Sequence, residues 1–508
     1  MDPIIIDGRS LTIEDVVRVA AGGCTVSLGD EARDTVVAAR DLVEARARSG
    51  QPVYGVNTGF GFLAKVRIPE ADLSQLQVNL IRSHAVGLGD PLPADQTRAL
   101  MLLRANVMAT GNSGVRLETL QLLLDFLNAD ILPVIPKKGS VGASGDLAPL
   151  AHLALAMIGE GEVVVNGLRR PSAEVMAEHD LAPLTLGPKE GLCLINGTQV
   201  MSALGVLALH RAERLTAFAD VAGAMSLEGN KGTVVAFDPR IHQVRPHAGQ
   251  LQSAENLRKL LADSRIGDSH ADCDRVQDAY SFRCMPQVHG ATRDVLGFVR
   301  KTLEVEINSA TDNPLVFADD DVMLSGGNFH GQPLAFALDF LAIAVSELAN
   351  ISDRRVEQLI DPALSNLPAF LVKNPGLNSG FMIAQVTAAS LVNENKVLVY
   401  PASADSIPTS ANREDHVSMG MTSARKALEV VDNTEACLAI ELLCACQAID
   451  LIGESPGVGV AAAHRAVREV VPFMETDRVL HPDVEAVIDG SRSGRILAAV
   501  EEVIGALS

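Results

Sequence analysis

The sequence is poor in aromatic side chains, which make up 3% of its 508 residues, with no Trp and three Tyr. Stacking platforms for single-stranded nucleic acid need successive aromatic faces and are hard to assemble from so few. Basic charge is also short: 42 Lys and Arg stand against 63 Asp and Glu, for a net charge of -21. A sequence-independent grip on nucleic-acid phosphates needs the opposite balance. The seven Cys, at 24, 193, 273, 284, 437, 444 and 446, are odd in number and lack the paired spacing of a zinc site or disulfide framework, so a reducing compartment is expected.

Bilayer-crossing runs are missing too. LAFALDFLAIAVSELAN contains Asp339 and Glu347, and LAPLAHLALAMI falls short of the roughly 20 apolar residues a crossing requires. The opening MDPIIIDGRSLTIEDVV has an acidic residue where a signal peptide carries basic ones. The expectation is a folded, cytoplasmic protein that handles small molecules, with neither membrane nor nucleic acid as partner.

Common catalytic patterns are absent or broken. There is no G-x-x-x-x-G-K-[ST], no H-E-x-x-H and no His cluster at metal-ligand spacing, so no metal is expected. GASGD at 142–146 puts Asp146 where a nucleophile elbow needs its last glycine. GFGFLA at 59–64 matches a dinucleotide fingerprint in form only, because no βαβ alternation follows it.

What the chain has is helical periodicity. Leu117, Leu120, Leu124 and Leu127 share one helix face, and Pro133 and Pro136 end that run. Leu334, Leu338, Leu341, Val345 and Leu348 repeat at spacings of four and three, and Leu428, Val431, Leu438, Leu442, Ala445 and Ile449 behave similarly; both predict long bundle helices. Val163–Val165 followed by Asn166-Gly167 reads as a strand entering a two-residue hairpin turn. The expected fold is mainly α, with few short strands. A soft boundary near residue 200 separates an N-terminal region, 1–200, from a long helical bundle with C-terminal helices, 201–508.

Between two helical patterns lies KKGSVGASGD at 137–146, a tight loop whose Asp146 is placed to cap the following helix. Within it, Ala143-Ser144-Gly145 permits an unusual reaction, since a constrained turn brings the Gly145 nitrogen near the Ala143 carbonyl. Ring closure and loss of water give a 4-methylidene-imidazol-5-one, whose methylene, from Ser144, accepts electrons as no ordinary side chain can. Ala143 offers little steric resistance, Gly145 supplies backbone freedom, and Asp146 is suited to orient or polarise the reacting groups.

The segment GSVGASGDLAPLAHLALAMIGEG resembles the signature of the histidine and phenylalanine ammonia-lyase family, and within it the histidine branch. The similarity continues through VYGVNTGFG at 53–61, LINGTQ at 194–199, RVQDAYSFRCMPQVHGA at 275–291, SGGNFHGQP at 325–333 and SANREDHVSMG at 410–420. It covers roughly residues 50 to 450.

The resemblance implies conversion of L-histidine to trans-urocanate and ammonia by a homotetramer that makes its own cofactor, with no metal and no diffusible cofactor. Tyr54 takes the role of the base that removes the β-proton, assisted by Tyr280. A tyrosine of ordinary pKa, about 10, is a poor base near neutrality unless neighbours stabilise its phenolate. Arg283 is implied as the clamp on the substrate carboxylate, Asn196 as a hydrogen-bonding group near the electrophile, Gln277 as a lining residue and Phe329 as a flank of the ring. His84 and Glu414 are the residues the histidine branch uses around imidazole. A carboxylate there accepts an imidazole N–H, whereas beside a phenyl group it would be poorly paired. An ordinary helix-start charge, capped by Ser410 or Asn412, is the plainer reading of Glu414. Arg413 departs from the pattern, standing where the histidine enzymes usually have Gln. Rival readings are a phenylalanine or tyrosine ammonia-lyase, a 2,3-aminomutase of the same family, and a non-catalytic helical assembly.

Overall fold

A computed structural model describes residues 3–49, 51–270 and 276–508. Cys273 and Arg275, the first residue of the RVQDAYSFRCMPQVHGA segment, lie outside them. Long helices form where the apolar seams run. Gln332–Ile360 contains Leu334, Leu338, Leu341, Val345 and Leu348, all fully buried. Gly420–Ile452 buries Val431, Leu438, Leu442, Ala445 and Ile449, with Leu428 half-buried. Gln199–Gly229 and Met285–Glu306 are also long helices. Among the described residues, Gln332–Ile360 is the one helix long and apolar enough to cross a bilayer. Yet 72% of its most apolar window is buried inside the protein, which is how a core helix behaves.

Among the described residues strands are short, none exceeding four residues. Ile4–Ile6 pairs in parallel with Val26–Leu28, and antiparallel pairs join Leu88–Pro91 to Pro136–Lys138 and Leu315–Phe317 to Val322–Leu324. Glu162–Val165 and Leu168–Pro171 form a hairpin extended by Leu132–Pro133. Its turn residues Asn166 and Gly167 both have positive φ, 51° and 76°, as the sequence predicts for a tight turn that must match strand twist. The fold is mainly α with few short strands.

The chain divides into two compact units. Unit 1 comprises Met1–Leu207, Arg300–Asp339 and Pro401–Arg425; unit 2 comprises Ala208–Val299, Phe340–Tyr400 and Lys426–Ser508. All the strands above belong to unit 1. At its core is the helix Ala94–Ala109, in which every residue from Ala99 to Ala109 is buried, Arg104 and Asn106 included. Asn106 accepts the Gly8 N–H and donates to the Ile307 carbonyl, so its burial leaves no unmet polar demand.

Beside that helix, Lys189 and Asp312 are both fully buried, with Nζ 2.8 Å from Oδ2, and Lys189 also donates to the Ser113 carbonyl. Removing one partner strands the other charge in a dry interior. Asp312→Ala is therefore expected to lower stability by about 3–5 kcal/mol, measurable by urea unfolding; a loss under about 1 kcal/mol would contradict a buried ion pair.

In unit 2, Arg355 forks onto Glu441 with both side chains buried. Asp220 accepts from Ser253, Asn256, His289 and Arg293. Burial opposes its ionisation, but Arg293 and His289 outweigh burial and hold its carboxyl well below the usual range.

Candidate active site

Three segments of unit 1 meet at the 139–146 loop. The first is the loop itself, where Gly142 and Gly145 take φ of 66° and 75°. A side chain is excluded at Gly145, because a Cβ there would lie 2.0 Å from the Gly197 carbonyl oxygen. The second is the turn after helix Glu190–Ile195. Asn196 Nδ2 donates to the Ser144 carbonyl at 2.8 Å, the Asp146 N–H donates to the Gly197 carbonyl at 2.7 Å, and residues 145 and 197 form a parallel bridge. The third is the run from 409 to 420, from which Met419 N–H donates to the Val141 carbonyl and Ser418 Oγ to the Gly142 carbonyl. Gly331 N–H reaches the same Gly142 carbonyl, which brings the turn carrying half-buried Phe329 against the loop.

Asp146 stands at the N-cap position of helix Leu147–Met157, but its side chain does not cap that helix. Oδ2 instead accepts the Val200 and Met201 N–H groups, at 3.0 and 2.9 Å, and Oδ1 accepts Ser140 Oγ at 2.9 Å. These are first-turn amides of the long helix Gln199–Gly229, and a carboxylate is favoured at such an end. The local cap expected from sequence is thus corrected to a long-range one.

Burial pushes the Asp146 carboxyl up to about 6, against donors that favour ionisation. A raised pKa means that the fold favours the neutral form. Its contribution to stability is full below the ordinary value of 3.8 and is lost as pH rises through about 6. Asp146→Asn is expected to flatten the stability curve between about pH 4 and pH 6 by about 3 kcal/mol. Urea midpoints at the two ends of that range check this, and an unchanged slope would contradict it.

Glu414 does not begin a helix, because the helix following it starts at Gly420; the helix-start reading is corrected accordingly. Ser410, Ala411 and Asn412 form a tight turn with φ of 51°, 53° and 61°, a conformation costly for side chains other than Gly and Asn. A bridge between Thr409 and Glu414 closes it. The strained turn aims the Glu414 carboxylate at the loop, where Oε1 accepts Ser144 Oγ at 2.6 Å. Oε2 accepts Thr409 Oγ1 at 2.7 Å and Ser410 Oγ at 2.9 Å. Burial opposes ionisation, but the three hydroxyls and nearby His84 outweigh it and hold the Glu414 carboxyl below its ordinary value. His84, the last residue of helix Leu73–His84, is half-buried with Nδ1 2.8 Å from the Leu80 carbonyl. Burial lowers its pKa, partly offset by the Leu80 bond and Glu414.

Tyr54 sits in the turn before Gly61, whose N–H donates to its hydroxyl oxygen at 3.4 Å, and its ring meets Phe60 edge-on. Arg413, whose place the sequence left open, lies over exposed Phe62 at 5.9 Å. Asn196 Oδ1 is buried with no hydrogen-bond partner, so it has acceptor capacity to spare.

In unit 2, Tyr280 and Arg283 bound one helical turn, with the guanidinium 4.5 Å from the Tyr280 ring centroid. Tyr280 and Gln277 are exposed, and Arg283 Nε is buried without a partner. Unit 1 therefore brings together Ser144, Asn196, Asp146, Glu414 and His84, while Gln277, Tyr280 and Arg283 belong to unit 2. Sequence reasoning missed Ser140, Thr409 and Ser418, because a Ser or Thr carries no mark of its hydrogen-bond partner, whether five or six residues away, as for Thr409 and Ser140, or 276 away, as for Ser418.

The loop fits the expected ring. Its glycine has positive φ and no room for a Cβ, Ala143 is buried, and every flanking carbonyl or carboxylate named above is held in place.

A family model described as aromatic amino acid lyase matches residues 11–469. The chain is 57% identical over 498 residues to the histidine ammonia-lyase of Myxococcus xanthus, covering 98% of each protein. The crystal structure of histidine ammonia-lyase from Trypanosoma cruzi superimposes with a TM-score of 0.92 at 49% identity, over 99% of this chain and 95% of that one. A tyrosine aminomutase from Streptomyces globisporus superimposes with a TM-score of 0.94 at 39% identity over the whole of both chains. Likeness this close, running through the loop and the turns that clasp it, means that the chain belongs to the aromatic amino acid lyase family.

Proposed function

We propose that this chain eliminates ammonia from L-histidine to give trans-urocanate, using a methylidene-imidazolone made from Ala143, Ser144 and Gly145. In forming that ring, the Gly145 nitrogen bonds to the Ala143 carbonyl carbon, whose oxygen leaves as water; Ser144 loses Oγ and its α-hydrogen as a second water. The finished group supplies an electrophilic methylene that makes the substrate's nitrogen a better leaving group.

The observation that carries the choice of histidine is Glu414. Its carboxylate is ionised, lies 2.6 Å from Ser144 Oγ and has His84 nearby. A fixed anion at that point suits an imidazole N–H and not a phenyl ring. Tyr54 receives the β-proton, and the Gly61 N–H is a donor that its phenolate would retain. Arg283, with Nε unpaired, holds the substrate carboxylate. Tyr280 assists proton transfer, Gln277 lines the substrate site, Asn196 offers its free Oδ1 to the substrate's amino group, and Phe329 flanks the ring. The names of the M. xanthus and T. cruzi relatives support the same substrate.

A homotetramer whose sites each draw residues from several subunits suits the helix Met382–Leu398, which buries only Ala388 and Asn395. Ile383, Val386 and Val397 on it are more than half exposed, and an apolar stripe of this kind marks an interface. Cys193, Cys284, Cys437, Cys444 and Cys446 are free thiols, which suits a cytoplasmic setting. The likeness to a tyrosine aminomutase favours β-tyrosine formation as the second reading.

Chromatographic identification of all products from equal amounts of L-histidine, L-tyrosine and L-phenylalanine separates these readings. Urocanate with an equal amount of ammonia is expected. Coumarate, cinnamate or a β-amino acid as the main product would overturn the assignment.

A further inference from the structure

The clasp on the loop is itself held by a residue that the chemistry above does not use. Arg104, on the helix Ala94–Ala109, is completely buried. Among the described residues no carboxylate pairs with it. Its guanidinium instead donates through Nη1 to the Asn196 carbonyl and to Gln199 Oε1, both at 2.7 Å, and through Nη2 to the Cys193 carbonyl. Gln199 is anchored in turn by Nε2 donating to Thr311 Oγ1 at 2.8 Å.

A guanidinium buried without a direct ion pair is costly, and buried Asp312 offsets that cost only through space. Here the planar fork serves main-chain oxygens at the C-terminal end of helix Glu190–Ile195, where a cation is favoured. The next residue, Gly197, has φ of 143°, and a Cβ on it would lie 2.9 Å from Arg104 Nη1. Gln199 Oε1 and Thr311 Oγ1 lie closer still, at 2.4 and 2.8 Å, so Arg104 and the two side chains of its hydrogen-bond chain together fill the space behind Gly197, while the Gly197 carbonyl in front receives the Asp146 N–H and abuts Gly145. Asn196, whose main chain Arg104 grips, holds the Ser144 carbonyl with its side chain.

We infer that Arg104 is the positioning residue for cofactor formation, fixing the Asn196-Gly197 turn so that Ala143-Ser144-Gly145 is held in the geometry that closes the ring. The inference rests on the proposed self-made electrophile and extends it to a residue that touches neither substrate nor the reacting atoms. Ring closure needs the Gly145 nitrogen kept against the Ala143 carbonyl, and the turn at 196–197 holds the tripeptide at its Ser144 carbonyl and along Gly145. A loosened turn lets the tripeptide relax into open conformers that do not close.

The test follows the mass of freshly made chain over time, for the unsubstituted protein, Arg104→Lys and Gln199→Met, beside circular dichroism and size-exclusion measurements of folding. The unsubstituted chain should lose the mass of two waters. Folded Arg104→Lys keeps the charge but loses the fork, and should close about tenfold more slowly, the effect on a barrier of one charge-assisted hydrogen bond. Reduced stability with closure at the normal rate would show a merely structural role and overturn the inference. If Arg104→Lys does not fold, Gln199→Met, which removes the anchor that fixes the Arg104 guanidinium against the Asn196 carbonyl, decides: slower closure supports the inference and normal closure overturns it. Absence of water loss from the unsubstituted chain would overturn the self-made cofactor itself, a separate outcome.

Discussion

Ser144→Ala is expected to abolish ammonia release from L-histidine, with a fall in kcat of at least about 10³-fold. Alanine at this position has no Oγ to lose, so no methylene forms, and every other group named here is left acting on an unactivated amine. The reaction is hard for two reasons: the β-hydrogen is not acidic, and ammonia leaves poorly. Tyr54 answers only the first. Folding should survive, since half-buried Ser144 gives up a single side-chain hydrogen bond, that to Glu414, at about 1 kcal/mol. Ammonia release measured beside a thermal melt separates lost chemistry from lost structure. A folded variant retaining a tenth of the activity would contradict the role given to Ser144.

Glu414→Gln is expected to lower kcat/KM for histidine roughly 10²-fold, about 2–3 kcal/mol, the worth of a hydrogen bond to a charged group. Glutamine keeps the shape but presents two N–H donors in a place already supplied with donors by Thr409, Ser410 and Ser144. Water loss at 143–145 should be unaffected, so the defect lies in recognition and catalysis. Steady-state kinetics on histidine check this, and a fall of less than about threefold would remove Glu414 from imidazole recognition.

The parts legible in the sequence were those whose causes are local. The seam from Leu334 to Leu348 is buried because spacings of four and three put apolar residues on one helix face whatever surrounds them. The turn at Asn166-Gly167 was legible because few residues tolerate positive φ twice in succession. The loop at 139–146 was legible as a loop from its glycines and serines, and its chemistry from the order Ala-Ser-Gly.

Other features depend on contacts made across the chain. Asp146 was read as a cap for the helix beside it, yet Val200 and Met201 offer amides free of an intrahelical partner. Ser410 and Asn412 are good cap residues, so a helix start near Glu414 was a fair local reading. The local bridge between Thr409 and Glu414, together with the tertiary hydrogen bond from Met419 to Val141, holds a left-handed turn there instead. Arg104 gave no signal at all, since nothing local distinguishes a guanidinium that grips buried carbonyls from one facing water.

The most direct test of the central claim uses the protein as isolated, without substrate or added cofactor. Cleavage after Lys138 and Arg169 releases the peptide 139–169, and fragmentation mass spectrometry weighs it residue by residue. The expected peptide is lighter than its sequence by two waters, with the whole deficit confined to Ala143, Ser144 and Gly145. A peptide of full sequence mass, from a preparation that releases ammonia from histidine, would contradict it.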